Sequence, residues 1–207
     1  MRFHLQAHLD HTYAEKNRKF SLNANTREEF ELWQSEFRLA LLDLLGLSNR
    51  IPEKVPQTDY LSSEDKGSYI EEKHILMVDD VSVPMYLLIP KSSVPHKAIL
   101  AFHGHGMGVQ QILGNYPNDT IRQKMVATDE YFAQCFAEDG YLVCAIEQQG
   151  FGERITDQIN DNGNSCRHLA FQYMMFGKNL LGERVREGIA AINYLQSRDD
   201  MYPQSIG

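Results

Sequence analysis

Residues 97–108 read Lys-Ala-Ile-Leu-Ala-Phe-His-Gly-His-Gly-Met-Gly, an apolar run stopped by three glycines alternating with His105 and Met107. An uninterrupted apolar run such as 98–102 fits a strand covered on both faces, which means a parallel sheet between layers of helices. Glycines directly behind such a strand let the chain turn sharply and bring its backbone close to whatever binds there. Open α/β sheets hold their ligands at the carboxyl ends of strands, so this loop is the first place to look for chemistry.

Three chemistries compete for it. His103-Gly104-His105-Gly106 resembles the H-G-x-G loop of α/β-hydrolases, in which a backbone N–H just past the strand holds a developing oxyanion. Phosphate binding would want G-x-G-x-x-G and an acidic residue in a second strand roughly 20 residues on. The spacing here is G-x-G-x-G, and no such acid follows. Metal ligation could use His103 and His105, whose rings share one face of an extended segment. Further carboxylate or histidine ligands would then be needed nearby, and Gly106-Met107-Gly108 supplies none. The bland alternative is a glycine-rich turn with two half-buried histidines; the oxyanion reading leads.

At 207 residues the chain can bury one good core. Its formal net charge of -8 argues against nucleic acid or an anionic membrane as the main partner. No apolar run reaches the roughly 18 residues of a membrane span, and the first residues lack the apolar core of a secretion signal. Cys135, Cys144 and Cys166 are scattered without metal-ligand spacing and read as reduced cysteines of a cytoplasmic protein.

The first segment is polar and carries His4, His8 and His11, which would share a helix face. Nothing like H-E-x-x-H accompanies them, so a solvated terminal segment is expected. Thr26-Arg27-Glu28-Glu29 is a capping box, followed by Phe30, Trp33, Phe37, Leu41 and Leu44 at helical spacing. Residues 69–77 and 81–89 alternate as two strands of a hairpin around Asp79-Asp80. Pro84 points to a position near a sheet edge. Residues 110–127 show no clear period. A helix over 129–137 and a buried strand over 141–146 complete a βαβ unit, which makes the strands 98–102 and 141–146 parallel. A further helix follows Asn164. The next, over 180–198, places Leu181, Val185, Ile189, Ile192 and Leu195 on one face, with Glu183, Arg184, Arg186 and Glu187 on a solvated one. Pro203 and Ile206-Gly207 read as a turn and the start of another strand.

Taken together these parts resemble the N-terminal part of an α/β-hydrolase, closest to the dienelactone-hydrolase and acetyl-xylan-esterase-like branch. Tyr86-Leu87-Leu88-Ile89-Pro90 is similar to the family's second strand and residues 102–108 to its oxyanion loop. Residues 147–154, Glu-Gln-Gln-Gly-Phe-Gly-Glu-Arg, resemble its D-x-x-G-F-G-E-R stretch with Glu147 for the usual Asp. Gly182-Glu183-Arg184 and residues 190–195 resemble the helix before the nucleophile strand, and residues 203–207 that strand's entry. The resemblance implies an α/β fold, the first half of a mostly parallel sheet flanked by helices with an antiparallel hairpin at one edge. The expected division is a helical segment over 1–60 and a hydrolase domain over 61–207, incomplete at its C-terminus.

The family's G-x-S-x-G nucleophile elbow, acid and catalytic histidine have no counterpart here. Ser165 lacks elbow glycines, and His168 reads as a surface or helix residue. A truncated hydrolase of carboxylic esters or related acyl bonds is the expectation, with a Ser or Cys nucleophile and a small-molecule ester substrate. Here His105 and Gly106 would offer backbone N–H groups, Gly104 would permit the turn, and His103 would hold the loop or line the pocket. No cofactor or metal is implied, and the oligomeric state is not legible. A non-catalytic scaffold of degenerate hydrolase fold and a nucleotide-binding α/β domain stand as the alternatives.

Overall fold

The structure, a computed structural model, describes residues 5–16, 18–158 and 163–207. It divides into two compact units between Leu44 and Leu45. In the first, helix α1 (Leu5–Ala14) is exposed throughout and carries His8 and His11; His4 lies outside the described residues. Helix α2 (Arg27–Leu44) begins at the anticipated capping box. The Thr26 hydroxyl accepts the Glu29 N–H at 3.2 Å, and the Glu29 carboxylate accepts the N–H groups of Asn25 and Thr26. Its aromatic stripe packs on itself: Trp33 stacks on Phe37 at 5.3 Å, Phe20 meets Phe37 edge-on, and the indole N–H bonds the Phe20 carbonyl.

The second unit is built on one six-stranded sheet. Its strands in chain order are β1 (Thr58–Asp65), β2 (Tyr69–Val78), β3 (Val81–Pro90), β4 (His96–Ala101), β5 (Leu142–Ile146) and β6 (Met201–Ile206). Across the sheet they run β1-β2-β3-β5-β4-β6. From β1 to β5 neighbours are antiparallel; β5, β4 and β6 are parallel. The β2–β3 hairpin turns at Asp79, whose φ of 55° lies in the left-handed region. Helices α3 (Val109–Ile112), α4 (Asp119–Val126) and α5 (Phe132–Glu138) lie between β4 and β5; α6 (Cys166–Met175) and α7 (Leu180–Gln196) lie between β5 and β6.

Strand β5 explains why its sequence shows no alternation. Leu142, Cys144 and Ile146 pack into a core with Leu87, Ala190 and Leu195, while Val143 and Ala145 pack into a second one with Leu88, Ile112 and Ala133. Both faces are covered, so every position is apolar. Strand β4 ends at Ala101, leaving Phe102 exposed as the loop begins. The anticipated strand beside it is present as β6, which starts five residues earlier than Ile206. Gly207 exchanges hydrogen bonds with Ala98 and Leu100, and the register irregularity between His96 and Ala98 accommodates Pro203.

Several expectations are corrected. Strand β1 was not anticipated: it is polar, exposed and joined to β2 through its backbone, so no apolar pattern announces it. It lies outside the hairpin, which therefore sits inside the sheet margin. Pro84 in β3 is opposite Glu147, which donates its N–H to the Pro84 carbonyl at 2.9 Å. The bond that proline cannot return is replaced by Arg154 Nη1, which donates to the Glu147 carbonyl at 2.9 Å.

The solvated face expected on α7 is also corrected. Leu181 is exposed, whereas Glu183, Arg186 and Glu187 are 3%, 4% and 0% exposed. Ala190, Ala191 and Leu195 meet the sheet along the C-terminal half of the helix. On the N-terminal half carboxylates occupy the same face and are matched by arginines from elsewhere. Arg50 binds Glu183 through both nitrogens at 2.6 and 3.1 Å, and Arg186 bridges Glu183 to Asp79.

Candidate active site

Parallel neighbours β4 and β5 end side by side, and their following loops form the candidate site. Leaving β4, His103 turns inward with its side chain 1% exposed. Its Nδ1 lies 2.9 Å from the Gly104 carbonyl, and its Nε2 accepts the Gln148 N–H at 3.1 Å. The Gln148 side-chain amide donates back to the His103 carbonyl, tying the two loops together. His105 is exposed, and both imidazoles stand edge-on to Phe151 at 5.1 Å. Phe151 is itself buried under the Arg184 guanidinium.

Gly104 and Gly106 are exposed, and neither adopts a left-handed φ. The sharp turn falls instead on Gly108, with φ of 78°, a position the sequence reading did not single out. The N–H of Met107 is taken by the Gln111 side chain at 3.0 Å. The N–H groups of His105 and Gly106 have no hydrogen-bond partner among the described residues.

The loop after β5 is buried and cross-braced. Glu147 is fully buried, with Oε1 accepting the Val109 N–H at 3.1 Å and lying 2.9 Å from His103 Nε2. Residues Gly152–Arg154 make a 3-10 turn that delivers Arg154 to Glu187. Two parallel bonds of 2.7 and 2.8 Å join them. Gln149 donates to the same carboxylate and accepts the Tyr173 hydroxyl, both at 2.6 Å. On the outer side the Tyr86 hydroxyl donates to Glu153 at 2.7 Å, and Lys73 pairs with the other Glu153 oxygen. Burial works to raise the Glu153 pKa, but the Lys73 and Tyr86 hydrogen bonds outweigh it and hold it below the ordinary value.

The other nucleophilic candidates are engaged elsewhere. Ser165 is fully buried with its Oγ accepting the Thr156 N–H, and Cys166 Sγ lies 2.9 Å from Arg184. Among the described residues no group of three or more His, Cys, Asp or Glu is arranged to hold a metal, and no helix is long and apolar enough to cross a membrane. Sequence reasoning noted Glu147 only as a mismatch. Its burial beneath His103 became visible once β4 and β5 were neighbours.

Known proteins are similar to this chain in sequence or fold. A Bacillus subtilis (strain 168) protein named "Putative hydrolase YtaP" is 28% identical over 182 residues, covering 84% of this chain and 54% of that protein. A Bacteroides fragilis NCTC 9343 crystal structure titled "putative acetyl xylan esterase" superposes with TM-score 0.81 at 18% identity, over 99% of this chain and 54% of the other. The methylesterase BT1017 superposes with TM-score 0.62 at 18% identity, over 89% of this chain and 36% of the other. The chain thus spans about half the length of the first two. The Abhydrolase family profile matches residues 6–180, and with the sheet order and paired loops described above, the chain belongs to the Abhydrolase family of α/β-hydrolases.

Proposed function

We propose that this chain carries the oxyanion side of a site that hydrolyses carboxylic esters of small molecules. The observation that carries the reading is the pair of exposed N–H groups at His105 and Gly106, which have no hydrogen-bond partner among the described residues, beside the end of β4. Preorganised donors at such a position stabilise a tetrahedral oxyanion without reorganising as charge develops. His103 holds the loop from beneath, and Gly104 keeps it free of a side chain. The esterase titles of the structurally similar proteins support an ester as the bond attacked. In this reading the nucleophile, acid and base lie outside these 207 residues, since no G-x-S-x-G occurs within them. Three free cysteines support a reducing, cytoplasmic setting.

Three measurements test the reading. Coding DNA beyond codon 207 should encode a G-x-S-x-G or G-x-C-x-G elbow within about 10 codons, because a strand of typical length needs only about five residues. A stop with no elbow in any frame removes the reading. Residues 1–207 alone should hydrolyse p-nitrophenyl acetate no faster than a heat-treated control. In the elbow-bearing protein His105→Pro, which deletes one donor, should lower kcat on the order of 100-fold.

A further inference from the structure

We infer that the Glu147 carboxyl is the positioning group of the 103–108 loop, the residue that sets where the His105 and Gly106 N–H groups point. The inference rests on the ester-hydrolase reading above. Glu147 leaves β5 with its backbone fixed on both sides: its N–H binds Pro84 and its carbonyl receives Arg154. The side chain has no exposed surface. Its Oε1 accepts the Val109 N–H at 3.1 Å and packs 2.9 Å from His103 Nε2, the nitrogen that accepts the Gln148 N–H. These contacts bracket His105 and Gly106 together with two nearer ties, the Gln148 amide on the His103 carbonyl and the Met107 N–H on Gln111.

The far side of the carboxyl is held by shape. Its Oε2 is buried without a hydrogen-bond partner. It lies against two glycines, one from each loop. A Cβ on Gly108 would stand 2.6 Å from Oε1 and 2.7 Å from Oε2, and one on Gly152 would stand 1.9 Å from Oε2. Both glycines have left-handed φ, 78° and 44°. The two loops therefore close around one carboxyl group, and the length of its stem decides whether it reaches both.

Length, more than charge, is then the property to test. Asp at 147 would withdraw the carboxyl by about 1.5 Å, one carbon–carbon bond. The Val109 N–H would lose its acceptor, the packing of the carboxyl against His103 would go, and a void would open between the glycines. Gln keeps the length and an acceptor oxygen. The resembled stretch usually has Asp here, so resemblance alone predicts that Glu147→Asp is harmless. The geometry predicts the reverse.

The experiment compares wild type, Glu147→Gln, Glu147→Asp and His105→Pro in the complete gene product. It measures p-nitrophenyl acetate kinetics, and hydrogen exchange of the 103–112 peptide by mass spectrometry. Glu147→Asp should lower kcat on the order of 100-fold, as a misplacement of about 1 Å does. KM should change little, and exchange should quicken in 103–112 while β4 and β5 stay protected. Glu147→Gln should restore most of kcat and of the protection. Normal turnover and exchange in Glu147→Asp would overturn the inference. So would Asp and Gln variants that fail alike with protection lost across the sheet, since Glu147 would then serve folding alone. Should His105→Pro turn over normally, the ester reading fails, and the exchange data still decide whether Glu147 holds the loop.

Discussion

The loops that follow β4 and β5 leave the sheet side by side yet are held in opposite ways. Residues 104–106 of the first are exposed, and its backbone keeps donors unspent. The second buries a carboxyl, an aromatic ring and a bidentate Arg–Glu pair, with Glu147 and Phe151 at 0% and 1% exposure. The first loop draws its support from the second, through His103, Gln148 and Glu147. A loop whose backbone N–H groups are not satisfied internally must draw its rigidity from a neighbour.

The comparison predicts a steep contrast in mutational cost. Arg154→Ala would strip the fully buried Glu187 of its charge partner, leaving it only the Gln149 amide, and the Glu147 carbonyl of its donor. A loss of about 3–5 kcal/mol is expected, as for other broken buried pairs. Arg154→Lys should recover only part of it, since an ammonium cannot reproduce the planar fork. Urea midpoints at constant m would measure both, and an Arg154→Ala protein within about 0.5 kcal/mol of wild type would mean the brace is idle.

Next in size is the glycine contrast. Gly152→Ala forces a side chain onto Glu147 at a left-handed φ and should cost on the order of 1–3 kcal/mol. Gly104→Ala enters open space and should stay within about 0.5 kcal/mol. Equal costs would erase the distinction between the loops.

Acid should act on the braced side. Burial works to raise the Glu183 pKa, but the Arg50 hydrogen bond and the Arg186 and Arg50 charges hold it below its ordinary 4.5. A depressed folded value gives stability that is present above the unfolded pKa and lost as pH falls through the folded one. The melting temperature should therefore drop as pH falls below about 4.5, with a shallower slope in Glu183→Gln. An identical slope in that variant would assign acid sensitivity to other carboxylates. The smallest effect concerns thiols. Burial pushes the Cys144 thiol up to about 12, so it should react with a disulfide reagent only on unfolding. Cys135, partly exposed, should react in the folded protein, and equal rates would mean β5 opens readily.

Much of the fold was legible because burial on both faces leaves a simple trace. The apolar runs of β4 and β5, the Thr26 capping box and the Asp79-Asp80 turn each follow from local chemistry. Strand β1 left no trace, since its pairing uses backbone groups that every sequence carries. The charges of α7 misled because Glu183 and Glu187 look the same whether water or arginine answers them. Their partners, Arg50 and Arg154, are 133 and 33 residues away. The site was half legible: the glycine spacing marked the loop. That Gly108 rather than Gly104 makes the turn, and that Glu147 lies beneath it, depends on which strands are neighbours.

Pro84 gives the sheet a different kind of boundary. Where two antiparallel strands part, the last rung is ordinarily drawn by peptide groups, and its position is indifferent to side chains. Here one half of that rung is a guanidinium carried on a separate turn. The end of the β3–β5 ladder is thereby written in a replaceable side chain. Exchanging Arg154 would leave the Glu147 carbonyl without that donor, so the strand's final rung depends on a side chain that a single codon can change.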